Sequence, residues 1–92
     1  MLPITQHAQA RLQQRGIPAS VVESLLAYGR QAHDHRGGTI LFFDHRARNK
    51  LRHQVADDTY RQIEAHLDTY AVVGSDGAIV TVGHRTQRIN RH

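Results

Sequence analysis

The chain contains no cysteine. Disulfides, thiolate metal sites and a cysteine nucleophile are therefore excluded, and nothing in the sequence reports on redox compartment. Long apolar runs are missing as well. Nowhere do about 18 apolar residues follow one another, so no membrane-spanning helix and no membrane partner are expected. The opening Met1-Leu2-Pro3-Ile4-Thr5 lacks the basic start and apolar stretch of a secretory signal, and the expectation is a cytoplasmic protein. Walker loops, Gly-x-Gly-x-x-Gly, zincin helices and Gly-x-Ser-x-Gly are all absent, so nucleotide hydrolysis, dinucleotide redox and standard serine hydrolysis have no sequence support. The acids are scattered; only Asp57 and Asp58 are adjacent, which is no basis for a two-metal carboxylate cage. No cofactor is expected.

What is present is arginine. Of 12 cations 11 are Arg, against 8 acids, for a formal net charge of +4. The guanidinium offers a rigid bidentate fork that matches phosphate, which tilts the choice of partner toward nucleic acid. The 92 residues suit one domain, 1–92, with a modest core. Histidine, with 8 copies, supplies side chains that change charge near neutral pH.

Along the chain, Thr5 caps a first helix running to about Arg15, where Gly16 can take the left-handed conformation. Ala8 and Leu12 form its apolar stripe. His7, Arg11, Gln14 and Arg15 share a neighbouring face, which puts an imidazole one turn from a guanidinium. Pro18 opens a second helix, whose Val21, Val22, Leu25 and Leu26 repeat at helical spacing until Tyr28 and Gly29. Gln31 to His35 and Thr39 to Phe43, separated by Gly37-Gly38, read as a first hairpin. His33 and His35 project from one face of it, yet spacing specifies no third metal ligand, and no metal site is assigned.

Between Gly38 and Gly74 there is neither glycine nor proline, which favours helix after Asp44. Ala47, Leu51 and Val55 give one stripe and Tyr60, Ile63 and Leu67 another, so one kinked helix or two consecutive ones are expected, with Asp57 or Asp58 capping the second. His45, Arg46, Arg48, Lys50, Arg52 and His53 form an acid-free cluster that would attract phosphate. Tyr70 to Val73 and Ala78 to Val82 make a second hairpin around Asp76-Gly77, a type I′ signal. Arg85, Arg88 and Arg91 follow without an acid. The layout is α+β: two N-terminal helices, then a small, mostly antiparallel sheet of about four strands, with a helical insertion between the two hairpins.

The chemistry on offer is cationic and imidazole-based: His7 and Arg11 on the first helix, His84 and Arg85 at the end of the last strand. Two histidines with a guanidinium suit cleavage of RNA by its own 2′-hydroxyl, which needs no metal. In a regular strand Thr81 and Arg85 share one face while His84 points to the other. His84 joins them only if Gly83 marks a bulge. A two-residue turn would set Gly83 opposite Tyr70, whose ring could cover it.

Thr5-x-His7-Ala8-x-x-Arg11, Arg15-Gly16-Ile17, Tyr28-Gly29, Asp76-Gly77 and Thr81-Val82-Gly83-His84-Arg85 together resemble a family of small bacterial domains of unknown function. That family is similar in layout to the barnase, EndoU, colicin and RelE group of ribonuclease toxins. The resemblance implicates His7 and Arg11 first, then Thr81, His84 and Arg85, as catalytic residues. It implies an RNA substrate, on the ribosome in the RelE-like case, and an acidic antitoxin partner. The expected function is a metal-independent ribonuclease of a toxin-antitoxin pair, with Arg15, Arg46, Arg48, Lys50, Arg52, Arg88 and Arg91 binding the nucleic acid. The alternative is a non-catalytic nucleic-acid or partner-binding module.

Overall fold

The computed structural model describes residues 3–33 and 37–85. The elements run α1 (Gln6–Arg15), α2 (Ala19–Tyr28), β1 (Arg30–His33), β2 (Thr39–Phe42), α3 (His45–Gln54), α4 (Asp57–Glu64), β3 (Thr69–Val73) and β4 (Ile79–His84). All four strands pair antiparallel with their sequence neighbours, in the order β1-β2-β3-β4. This is the expected α+β layout, with α3 and α4 inserted between the hairpins. His35, Arg88 and Arg91 lie outside the described residues.

Helix boundaries follow local chemistry where a capping group is available. Thr5 Oγ1 accepts from Ala8 N at 3.1 Å, and Gly16 closes α1 with φ 62°. The carboxylate of Asp44 accepts from Ala47 N at 2.8 Å and starts α3. At α2 and α4 no side chain caps the first turn. Pro18 sits at the N-cap of α2 rather than inside it, and Asp57 and Asp58 occupy the first turn of α4 instead of capping it, where their charge favours the helix dipole. Packing substitutes for these caps. A cap is worth about 1 kcal/mol, whereas each fully buried Val, Leu or Ile contributes about 1.5–3 kcal/mol, and α2 alone buries Val21, Val22 and Leu25.

The helices share one core with one face of the sheet. Leu41, Ala71 and Val82 lie side by side across β2, β3 and β4 and join Leu12, Val22, Leu25, Leu51 and Ile63 in it. α1 packs along β4, and Pro3 to Thr5 extends the sheet beside that strand: Ile79 N donates to Pro3 O and Thr5 N to Ile79 O. The neighbouring cross-strand row, Arg30, Phe42, Tyr70 and Gly83, faces away from the helices.

The second hairpin departs from the type I′ expectation. That turn needs positive φ at both central residues, and Asp76, like every other described non-glycine residue, has none. Gly77 N instead donates to Gly74 O and Gly74 N to Ala78 O, so Ser75 to Gly77 form a three-residue loop with Gly77 at φ 88°. The longer loop sets Val73 opposite Ile79, one residue out of the expected register. Val80 then bulges from the ladder and brings Thr81 opposite Val72. The two irregularities cancel. Gly83 therefore does face Tyr70, and a Cβ there would meet Tyr70 Cε1 and Oη at 3.1 Å.

Candidate functional site

The expected catalytic residues fall in three places. His7 and Arg11 stand one turn apart on α1, His7 exposed and Arg11 partly so. Thr81 and Arg85 belong to the sheet face away from the helices, where the Arg85 guanidinium lies 5.1 Å over the Phe42 ring. His84 is on the other face. The bulge that would have re-aimed it is at Val80, and from Thr81 to His84 the pairing with β3 is regular, so His84 keeps the side of Val82.

There His84 meets residues that sequence reasoning did not single out. The register that pairs Gly83 with Tyr70 pairs His84 with Thr69, and Arg85 N donates to Asp68 O at 2.7 Å. Asp68 Oδ1 is 3.2 Å from His84 Nδ1. The ring of His66 stacks on that of His84, centroids 6.1 Å apart and 23° from parallel. The reason they converge is the turn leaving α4: Thr69 N donates to His66 O, which brings the imidazole back over the end of β4. Beneath them Thr69 is wholly buried, and neither its hydroxyl nor the buried Nδ1 of His66 finds a hydrogen-bond partner among the described residues.

A guanidinium borders the same turn. Arg48 donates through Nε to Phe43 O and through a terminal nitrogen to Leu67 O, the carbonyl between His66 and Asp68. Two of its five N–H groups are so engaged, and the others remain available to an anion. The remaining residues of the cationic cluster divide by role. Arg52 lies 5.9 Å over the Tyr60 ring, while Arg46 and Lys50, one helical turn apart, border a cleft with Arg30.

Electrostatics decide what the Asp68–His84 contact does. Their side chains are 54% and 26% exposed, and an exposed ion pair is worth only about 0–1 kcal/mol. Orientation is the larger effect. A carboxylate at Nδ1 makes that nitrogen the donor and leaves Nε2 of the neutral ring as an acceptor for a proton. Among the described residues no three His, Cys, Asp or Glu side chains are grouped so as to hold a metal ion.

The model of a family described as a domain of unknown function, DUF4258, matches residues 4–82. The chain belongs to the DUF4258 family. The match includes His66 and Asp68 and stops at Val82, two residues before His84. Neither the curated proteins nor the solved structures gave a match. No helix among the described residues is long and apolar enough to cross a membrane.

Proposed function

We propose that the protein is a metal-independent ribonuclease whose acid and base are His66 and His84. The observation that carries this reading is the stacked imidazole pair with Asp68 at Nδ1 of one ring. His84 Nε2 takes the proton of a ribose 2′-hydroxyl, and the oxygen attacks the adjacent phosphorus. The bond from phosphorus to the 5′-oxygen breaks as protonated His66 gives that oxygen its proton. The products are a 2′,3′-cyclic phosphate and a free 5′-hydroxyl. Asp68 holds the His84 ring and stabilises the imidazolium that forms, and the free N–H groups of Arg48 face the charge on the phosphoryl oxygens. Such chemistry requires the 2′-hydroxyl and so selects RNA over DNA.

In this reading His7, Thr81 and Arg85 do not share the reacting centre with His84. Cleavage of RNA in the presence of a chelator should fall at least 100-fold in both His66→Ala and His84→Ala proteins, the scale of a lost general acid or base. His7→Ala should retain most activity. Undiminished activity in the His66 and His84 variants, with folding verified by circular dichroism, would remove the mechanism.

A second reading, a non-catalytic RNA-binding module, is favoured by one observation: the family match ends before His84. It expects RNA binding that weakens steeply with salt and no products from free or ribosome-bound RNA.

A further inference from the structure

The sheet end that carries the imidazole pair also carries a cleft at its far corner. About 290 Å³ in volume, it is bordered by Tyr28, Gly29, Arg30, Asp44, Arg46 and Lys50. Arg30 opens β1, and its cross-strand row continues through Phe42 and Tyr70 to Gly83, the residue before His84. The cleft and the imidazole pair thus sit at the same ends of β1 and β4. Three inter-strand gaps of about 4.8 Å put them roughly 14 Å apart.

Among the described residues that border the cleft, three cations face one carboxylate. Asp44 is buried, and its carboxylate is already committed to the first turn of α3 and to Arg30 Nη1 at 3.3 Å. Arg46 and Lys50 are exposed and make no hydrogen bond or ion pair to a described side chain. The first turn of α3 is closed by Asp44, so an anion here is held by side chains rather than by the helix end. Arg48 on the same helix donates to Phe43 O just after β2 and to Leu67 O just before β3, which places it along the sheet end between β1 and β4.

We propose that this cleft is a phosphate subsite for single-stranded RNA, holding a backbone phosphate a few nucleotides from the one at the imidazole pair. Arg46 and Lys50 grip the phosphate and Arg30 borders it, beside Tyr28, which is half-buried and packed on the core. The inference rests on the ribonuclease reading for its second anchor, but its test does not require cleavage.

The probe is a 2′-O-methyl oligoribonucleotide long enough to span both places, which lacks the nucleophile and cannot be cut. Its binding is followed by fluorescence anisotropy over a range of salt. Arg46→Ala/Lys50→Ala should weaken binding roughly tenfold or more and lower the salt slope by about 0.7, the share of the one phosphate that the two cations hold on a single strand. Arg61→Ala, which removes an exposed cation of α4 that does not border the cleft, should leave both nearly unchanged. Wild-type affinity and slope in the double variant would overturn the subsite, and so would an equal loss in Arg61→Ala, which would mean diffuse attraction. If the double variant shows the loss while unmodified RNA is never cut, the subsite stands and the catalytic reading falls.

Discussion

Gly29 shows how a single residue is selected by space rather than by backbone freedom. Its φ of −65° and ψ of 150° are open to any residue, yet a Cβ there would lie 2.5 Å from Leu25 O in the last turn of α2. The carbonyl cannot retreat, because it already accepts from Gly29 N. Gly29→Ala should therefore cost about 1–3 kcal/mol, read as a lower urea midpoint with unchanged m-value. At the same scale, the proposed ribonuclease reading gives Asp68 a role through where it points. On that reading Asp68→Asn should keep the fold and lower turnover with little change in KM, because the amide fixes the ring less well and cannot offset the imidazolium charge. Activity equal to the native protein would show that His84 needs no such partner.

At the scale of elements, α3 depends most on one side chain. Its sequence, His45 to Gln54, buries only Ala47 and Leu51 and carries no acid in its first turn. Asp44 supplies the missing negative charge and the cap together. Asp44→Ala should destabilise the protein by about 1–2 kcal/mol in chemical denaturation, and Asp44→Asn, which preserves an acceptor, by less. Comparable losses in the two would mean that the charge on Arg30 matters more than the cap. β4 illustrates the opposite case, an element whose position reflects compensation. A three-residue loop and a bulge at Val80 each shift the register by one, and together they restore the pairing that aligns Thr69 with His84.

For the whole molecule, stability rests on a single core to which all four helices and the sheet contribute. Leu51 and Ile63 are fully buried in it, on the two helices inserted between the hairpins. Leu51→Ala should cost about 2–5 kcal/mol. The melting temperature should fall by roughly 4–8 °C for each kcal/mol lost. A smaller effect would mean that the α3–α4 insertion is only loosely coupled to the sheet. The cations are distributed differently from the core: among the described residues, Arg30, Arg46, Lys50 and Arg48 lie along one sheet end, while Arg15 and Arg61 are exposed on α1 and α4.

Much of this was legible locally. Thr5, Gly16, the apolar stripes of α1 to α4 and the glycine-free span before Gly74 each carry their structural meaning within a few residues, because capping and helical periodicity act over one or two turns. The separation of His84 from Thr81 and Arg85 followed from period two, provided the strand was regular there. Even the pairing of Tyr70 with Gly83 was available from the hairpin, and one further step along the same ladder would have placed Thr69 opposite His84 and Asp68 beside Arg85. His66 had no such signal. It reaches His84 through the turn that leaves α4, and a turn's exit direction depends on what the preceding helix packs against. The sequence by itself thus determined the fold class and most of the elements, while the division of α3 from α4 and the face of His84 waited on the structure. The tertiary structure alone decided that His66 stacks on His84, because packing of α4 on the core, a long-range event, sets where its last turn ends.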